Sequence, residues 1–515
     1  SFMMPEITTS EDPAPTSENK YIKFVLGALA VFTYFFGLNI PFLGPDEARY
    51  AQVAREMFER GDWVTPTLGG FHWFEKPALL YWLEIASYHV FGVNEFAARF
   101  GPAVFGIGTV ISLWILAKSI SSSASAPTQI PTTIALVAAS TLGIMAFAHG
   151  ASFDIIVTFP ITAALTSFYV WHSKNETGRV DSGPSVSSSL ILFYGFIGVA
   201  LLANGLIGAV FPVAIVAFYY LLSRKLPSRT LVVSLFWGAL IAIAVAATWY
   251  VPMYLKHGYE FIDEFFIQHH FQRFTSNKYQ HPQPFYFFFI VLPLMTLPWL
   301  PFFIASLWTF TRSLIRRVPM TQSLSFSPSP LLLFSLSWLL VPLVFFSFSG
   351  SKLPGYVLPA VPGAVIFTAV YMFELSTRKP KWNSITQMIT LSVFIGTIIL
   401  QLTVMPWFAP TDSVKTLVAA ANDRGYTNER ILAFYSVSHN AEFYAVGRLI
   451  RDKEGKQRAF YSVEEVAAQI AAEPSHRLLT LVKLQDMPKM NAGGKLSIET
   501  IADNTEYAIV LVKVN

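Results

Sequence analysis

The chain has 515 residues, of which 53% are hydrophobic and only 13% are charged, with a mean hydropathy of +0.48. Soluble domains carry roughly 25% charged residues, so the composition excludes an ordinary soluble protein and predicts a polytopic α-helical membrane protein. The net charge of +4 is small, and we expect no nucleic-acid partner. The absence of cysteine excludes disulfides, zinc–thiolate sites and thiol nucleophiles.

The apolar segments are numerous and long enough for a helical bundle. After residues 1–20, whose Pro, Ser, Thr and Glu content is typical of disorder, we expect about eleven spans. They are predicted near residues 24–43, 98–117, 132–148, 155–172, 190–203, 205–222, 230–251, 286–308, 330–347, 355–374 and 386–405. The first span is expected to remain as an uncleaved anchor, and residues 21–409 to form one transmembrane domain.

The loops between the predicted spans differ in charge. If the N-terminus lies inside, basic residues concentrate in the inside loops, as at Lys118, Arg224 and Arg316, with few carboxylates among them. This is the positive-inside bias of multi-pass membrane proteins. The outside segments, such as 44–97 and 252–285, mix acids, bases, His, Trp and Tyr. We therefore expect the functional chemistry on the outer face.

The first outer loop, residues 44–97, contains two segments with helical apolar periodicity. Residues 46–60 and 77–91 are amphipathic and too short to span a bilayer, and Pro77 favours a helix start. Helices of this kind lie in the membrane interface. We therefore predict two interfacial helices in this loop.

The last part of the chain, residues 410–515, has more charge and shorter apolar runs. Strands are predicted at Ile431–Tyr435, Arg458–Tyr461, Leu478–Val482 and Tyr507–Val514, with helical stretches at 440–450 and 463–472. This pattern predicts a small α/β domain on the outer side, which would be periplasmic in a bacterium.

Charged and polar residues at the outer membrane edges are the candidates for function, because such groups are costly at a lipid boundary. They are Asp46, Glu47, Arg49, Glu75, Lys76, Asp154, His269, His270, Arg273 and Lys352. Arg and Lys are suited to gripping a phosphate, and carboxylates can act as a base, orient an acceptor or bind a cation. The combination predicts an amphiphilic substrate that carries a phosphate.

Structural roles for these residues remain open. Asp46 after Pro45 is also a good helix N-cap, Arg273 and Lys352 could be snorkelling side chains, and Tyr356 could belong to an aromatic belt. A secondary transporter is the alternative from another functional class. Transporters place ionisable residues near the midplane in related halves, whereas here the charges gather at one surface. This placement favours an enzyme.

Several motifs make the reading more specific. In chain order they are Pro45-Asp46-Glu47-Ala48-Arg49-Tyr50-Ala51, Arg55-Glu56-Met57, Gly61-Asp62-Trp63, Phe74-Glu75-Lys76-Pro77, Asp154, His270-Phe271-Gln272-Arg273-Phe274, Leu297-Pro298-Trp299 and Ser351-Lys352-Leu353-Pro354-Gly355-Tyr356. Together they closely resemble the GT-C glycosyltransferases of the ArnT group, the lipid A aminoarabinose transferases, which are related to protein O-mannosyltransferases. The resemblance covers roughly residues 24–405.

The resemblance implies a GT-C fold with two interfacial helices and an outer soluble domain. It implies an inverting enzyme of the bacterial inner membrane, active on the periplasmic side, which uses a polyprenyl-phosphate sugar and no nucleotide cofactor. The implied reaction moves 4-amino-4-deoxy-L-arabinose or a similar sugar onto a lipid A phosphate or another envelope acceptor. A protein O-mannosyltransferase-like activity is the alternative. We expect a monomer surrounded by membrane lipids.

The resemblance also implies residue roles. Asp46 matches the principal catalytic carboxylate and Asp154 the second acidic position of the superfamily. Lys76, Arg273 and Tyr356 match positions that hold the donor phosphate, and Arg49 and Lys352 are expected as further substrate- or phosphate-binding residues. Glu75, with His269 or His270, matches a divalent-metal site. One departure is that many relatives carry Lys-Gly after the fifth span, where this chain has Asn204-Gly205.

Overall fold

The computed structural model describes residues 17–121, 129–176, 187–272, 283–316, 329–491 and 494–515. Its N-terminal two thirds are helical. The α-helices are Ser17–Phe35 (α1), Asp46–Arg60 (α2), Leu79–Phe91 (α3), Glu95–Ser121 (α4), Ile130–Ala139 (α5), Leu142–Ala148 (α6), Phe153–Glu176 (α7), Ser188–Asn204 (α8), Ile207–Ser223 (α9), Arg229–Phe261 (α10), Phe287–Met295 (α11), Leu300–Ile315 (α12), Pro330–Ser347 (α13), Val361–Arg378 (α14) and Lys381–Thr403 (α15). A π-helical stretch, Ile262–Gln272, continues α10, and a 3-10 turn, Pro354–Ala360, precedes α14.

The described helices include six that are long and apolar enough to cross a membrane. Two bent pairs raise that number to eight: α5 with α6, bent by 54°, and α11 with α12, bent by 116°. Three shorter apolar helices, Tyr21–Phe35, Ser188–Asn204 and Ile207–Ser223, coincide with the remaining predicted spans. The chain is therefore a multi-pass helical membrane protein, and the span count of eleven stays a prediction.

The first predicted span, 24–43, is too long at its C-terminal end. The helix stops at Phe35, and Gly37 follows with a φ of 81°, a left-handed conformation that glycine adopts without steric cost. At the other end the helix begins at Ser17, inside the stretch predicted to be disordered, and residues 1–16 lie outside the described residues. The segment between Phe35 and Asp46 is thus an irregular connection.

The two interfacial helices are confirmed as helices. The first covers Asp46–Arg60, as predicted, and the second covers Leu79–Phe91. Between them lies a two-stranded hairpin, Thr67–Leu68 (β1) and Phe71–His72 (β2), whose turn residues Gly69 and Gly70 both have positive φ. The hairpin was not anticipated from the sequence, because its strands are only two residues long.

The C-terminal part contains a five-stranded mixed sheet. Its elements are α16 (Met405–Asp412), α17 (Lys415–Asp423), β3 (Ile431–Phe434), α18 (Ala441–Tyr444), β4 (Ala459–Phe460), α19 (Val463–Ala472), β5 (Arg477–Lys483), α20 (Met487–Asn491), β6 (Leu496–Asp503) and β7 (Tyr507–Val514). The strand order is β4-β3-β5-β7-β6, with β4, β3 and β5 parallel and the last two strands antiparallel. The four predicted strands are confirmed, but the edge strand β6 was missed although Leu496, Ile498 and Ile501 give it a partly alternating apolar pattern.

The sheet domain packs directly on the first interfacial helix. Tyr444 accepts a hydrogen bond from the Phe42 N–H at 2.9 Å and donates to Glu95 at 2.9 Å. The Arg55 guanidinium lies over the Phe443 ring, 3.8 Å from its centroid, and donates to the Phe443 carbonyl. These buried contacts fix the C-terminal domain above the segment that begins with Asp46.

Candidate active site

A cavity of about 880 Å³ lies between α2, the hairpin segment that follows it, the start of α7, the end of α10 with its π-helical continuation, and the C-terminal domain. Among its lining residues are seven predicted candidates, which come from four separate segments of the chain: Asp46, Glu47, Arg49, Glu75, Lys76, Asp154 and Tyr356. The structure therefore brings together most of the candidates that the sequence placed on one face.

Asp46 and Arg49 occupy the first turn of α2. The two side chains form an ion pair one helical turn apart, and Arg49 also donates to the Pro45 carbonyl at 3.1 Å. Burial by itself would lower the pKa of Arg49. The negative charges of Asp46 and Glu75 have the larger combined effect, so the pKa lies above its usual value. Arg49 thus remains a cation between two carboxylates, with its guanidinium 5.8 Å from the centre of the Trp73 ring.

Lys76 lines the same cavity as this pair. Its Nζ donates to the Asn204 side chain at 3.3 Å and lies 5.7 Å from the centre of the Phe153 ring. Asn204 is the last residue of α8. Its side-chain oxygen therefore helps to orient the Lys76 ammonium group.

Asp154 is held at the start of α7 by its own turn. Ser152 donates to the Asp154 carboxylate at 2.7 Å, and the Asp154 N–H donates back to the Ser152 hydroxyl at 3.1 Å. The carboxylate lies so close to Gly355 that a Cβ at that position would overlap it. Because Tyr356 follows Gly355, the absence of a side chain there lets the tyrosine and Asp154 share one wall of the cavity.

Glu47, the neighbour of Asp46, has a structural role. Its carboxylate pairs with the buried Arg99 at 2.7 and 2.9 Å and accepts from the backbone N–H groups of Leu43 and Ala151. Burial alone would raise the pKa of Glu47, but Arg99 and these backbone donors lower it below its usual range. Arg99 also donates to carbonyls of the irregular connection after α1, so this pair locks the start of α2 in place.

Some predicted residues are not brought to the cavity by the described structure. Lys352 is buried, and its Nζ donates to the Ser349 and Gln283 carbonyls at 2.6 and 3.1 Å, outside the cavity lining. Arg273 and the side chains of His269 and His270 lie outside the described residues. Their predicted roles, and phosphate binding by Lys352, stay predictions.

The predicted metal site has one described member. Glu75 lines the cavity, but in the described parts of the chain no three carboxylate or imidazole groups come together as metal ligands. The fit of a divalent ion therefore depends on Glu75 and on histidines that are not described. We derive no catalytic step through a metal.

Sequence reasoning missed the contribution of the C-terminal domain and of α10. His439, Glu454 and Lys456 line the cavity from above, although they follow the transmembrane domain by many residues. Glu260 lines it from the end of α10, and Asp263 from the π-helical stretch that follows. No local pattern marks these residues, since only the packing of distant elements places them here.

Comparisons with known proteins agree with this architecture. Residues 42–261 match the family described as Dolichyl-phosphate-mannose-protein mannosyltransferase. Among curated proteins, the undecaprenyl phosphate-alpha-4-amino-4-deoxy-L-arabinose arabinosyl transferase of Serratia proteamaculans is 32% identical over 351 residues, 67% of this chain and 58% of that protein. The enzyme of the same name from Aeromonas hydrophila is 29% identical over 395 residues, 75% of this chain and 67% of its own length. The aligned part thus spans about three fifths to two thirds of these relatives.

Solved structures extend the likeness over nearly the whole chain. ArnT from Cupriavidus metallidurans bound to undecaprenyl phosphate superimposes with a TM-score of 0.74 at 20% identity, covering 95% of this chain and 97% of that one. The archaeal oligosaccharyltransferase AglB from Archaeoglobus fulgidus superimposes less closely, with a TM-score of 0.55 at 13% identity. At these identities the structures show a common fold. The chain is thus similar in sequence to the ArnT aminoarabinose transferases, and it shares the GT-C fold of the ArnT structures.

Proposed function

We propose that this protein is an inverting glycosyltransferase that moves a sugar from a polyprenyl-phosphate donor to a lipid-linked acceptor. The sugar is 4-amino-4-deoxy-L-arabinose or a close analogue, and the acceptor is a phosphate of lipid A. The proposal is carried by the cavity that gathers Asp46, Lys76 and Asp154 beside the first interfacial helix. The names of the curated relatives and the undecaprenyl phosphate bound to the ArnT structure support the donor class.

The donor phosphate binds at the Lys76 end of the cavity. The bond between the anomeric carbon and the phosphate oxygen breaks, and its electron pair leaves with the polyprenyl phosphate. The Lys76 ammonium, oriented by Asn204, offsets the negative charge that grows on this oxygen. Tyr356 lies on the same wall and Asp154 fixes its surroundings, so both residues orient the donor.

The acceptor oxygen attacks from the opposite face of the sugar, which inverts the anomeric carbon. A lipid A phosphate is already ionised near neutral pH and needs no base. Asp46 then positions the acceptor together with Arg49, its ion-pair partner. If the acceptor is instead a hydroxyl, the Asp46 carboxylate takes its proton as a general base.

The location of the site fits substrates that are themselves lipids. The first interfacial helix borders the cavity, so a polyprenyl chain and the acyl chains of the acceptor can stay in the membrane while their head groups react. We place the reaction on the periplasmic face of a bacterial inner membrane, catalysed by a monomer. A divalent cation held by Glu75 would supply further positive charge to the phosphate.

The second candidate function is transfer of a hexose to a protein hydroxyl, which is favoured by the mannosyltransferase family match over residues 42–261. Mass spectrometry of lipid A and of envelope proteins from cells with and without this protein distinguishes the two. An aminopentose mass increment on lipid A phosphates supports the main proposal, whereas a hexose on protein selects the alternative. Transport of a labelled solute without any glycosylated product would contradict both.

A further inference from the structure

One cavity-lining histidine belongs to the soluble domain. His439 lies in the loop between β3 and α18 and is only partly exposed. It lies close enough to Asp46 and Arg49 for both charges to act on its imidazole. The pKa of His439 lies below its usual value. Burial is the largest cause and the Arg49 charge the next, and together they exceed the opposing effect of Glu442 and Asp46. The ring is therefore neutral near pH 7, with one nitrogen able to donate and the other to accept.

The loop that carries His439 is anchored on both sides. Asn440 donates to the Asp412 carbonyl at 3.2 Å, and the Asp412 carboxylate accepts from the Gly44 N–H at 2.9 Å. Gly44 lies two residues before Asp46. Asp412 therefore links the loop that carries His439 to the start of α2. On the other side, Gln457 donates to the Ser438 carbonyl at 3.1 Å.

A second set of contacts holds the C-terminal domain over the cavity. Arg451 pairs with the buried Glu442 and packs against Gly69, while Gly455 packs against Phe71. The C-terminal domain thus rests on the hairpin between the interfacial helices. This seat holds the imidazole in the cavity near Asp46 and Arg49, whose charges act on it.

We infer that His439 binds the acceptor, donating a hydrogen bond to the oxygen atoms of its phosphate beside Arg49. The inference rests on the proposed function, since it assumes transfer to an acceptor that enters from the Asp46 end. It gives the C-terminal domain a direct part in acceptor recognition. Lys456 and Glu454, which form an ion pair at 2.8 Å, also line the cavity from the C-terminal domain.

The test uses full-length protein in detergent or vesicles, with undecaprenyl-phosphate aminoarabinose and lipid A as substrates. His439→Leu removes the imidazole, His439→Gln keeps a hydrogen-bond donor, and His476→Asn alters an exposed histidine of the same domain as the matched control. We expect the KM for lipid A to rise about tenfold in His439→Leu and less in His439→Gln. The KM for the donor, undecaprenyl phosphate binding and Tm should stay at the control values.

The outcomes are distinct. An unchanged KM for lipid A in His439→Leu overturns the inference while leaving the proposed function intact. Parallel changes in both KM values and in Tm also overturn it, because they indicate a structural role. If the wild-type protein forms no product, the proposed function fails, and the inference fails with it.

Discussion

The Lys76 Nζ donates a hydrogen bond to the Asn204 side chain at 3.3 Å, across 128 positions of sequence. Lys76 follows the hairpin of the first outer loop, and Asn204 ends α8. The contact joins the first outer loop to the helical bundle at the place where the donor phosphate is proposed to bind. Asn204 thus helps to orient the Lys76 ammonium group.

Replacing Asn204 with Ala should weaken donor binding. Without the side-chain oxygen the ammonium group is less well oriented, so we expect the KM for the donor to rise about fivefold to tenfold, with a smaller effect on kcat. Steady-state kinetics with varied donor measure this. Asn491→Ala, at an exposed position of the C-terminal domain, is the matched control. Equal KM values in the two variants would show that Asn204 does not orient Lys76.

A methyl group at Gly355 should lower turnover. Its Cβ would overlap the Asp154 carboxylate, so Asp154 or the turn that carries Tyr356 must move. Displacements of about 1 Å near a reacting centre can cost roughly 100-fold in rate, and we expect a tenfold to 100-fold loss of kcat in Gly355→Ala. Gly396→Ala provides the control, since nothing lies within 4 Å of its added Cβ. Normal turnover in Gly355→Ala would contradict the close packing inferred here.

The Glu47–Arg99 pair should matter for stability. Arg99→Met leaves the largely buried Glu47 carboxylate without its fully buried cation and removes the donors to three carbonyls. Breaking a buried pair on one side typically costs about 3–5 kcal/mol. Thermal unfolding of the purified variant measures the loss. Arg424→Met breaks an exposed pair with Glu499 and should change stability by only about 0–1 kcal/mol. Similar Tm values for the two variants would be inconsistent with the structural role of Arg99.

Glu84 should make stability depend on pH. Its side chain is fully buried in α3, and among the described residues neither carboxylate oxygen has a hydrogen-bond partner. Burial, and then the Glu47 charge, raise the pKa of Glu84 well above its usual value of 4.5. As the pH rises, the unfolded chain therefore loses the Glu84 proton at a lower pH than the folded chain does. The free energy of unfolding falls as the pH rises above about 4.5.

Glu84→Gln removes that pH-dependent cost. We expect a Tm about 2–5 °C above wild type at pH 8 and a difference that disappears near pH 4.5. Glu59→Gln, on the exposed end of α2, is the control for the loss of one carboxylate. A Tm for Glu84→Gln that falls below wild type at pH 8 would mean that the charged carboxylate stabilises the fold.

Local sequence patterns predicted much of this fold. Amphipathic periodicity predicted the helix at Asp46–Arg60, and alternating apolar residues predicted the strand at Tyr507–Val514. The early end of the first helix was not predicted, because the apolar run continues past Gly37 and conceals the break. Periodicity records which face of an element is buried, but a single glycine decides where the element stops.

The site was only partly predictable for a different reason. Asp46, Lys76 and Asp154 could be placed on one face because membrane topology assigns whole segments to a side. The residues that orient them could not be predicted, because the Lys76–Asn204 and Glu47–Arg99 contacts depend on how the helices pack. His439 reaches the cavity only because the C-terminal domain is seated on the first interfacial helix.

The most direct test is transfer by purified protein from an undecaprenyl-phosphate sugar to lipid A, comparing wild type with Asp46→Asn and Lys76→Ala. Product is followed by mass spectrometry, and undecaprenyl phosphate binding and Tm confirm folding. We expect aminopentose-modified lipid A from wild type, and rates at least about 100-fold lower in both variants. Wild-type rates in both well-folded variants, or no product from any of the three proteins, would contradict the account.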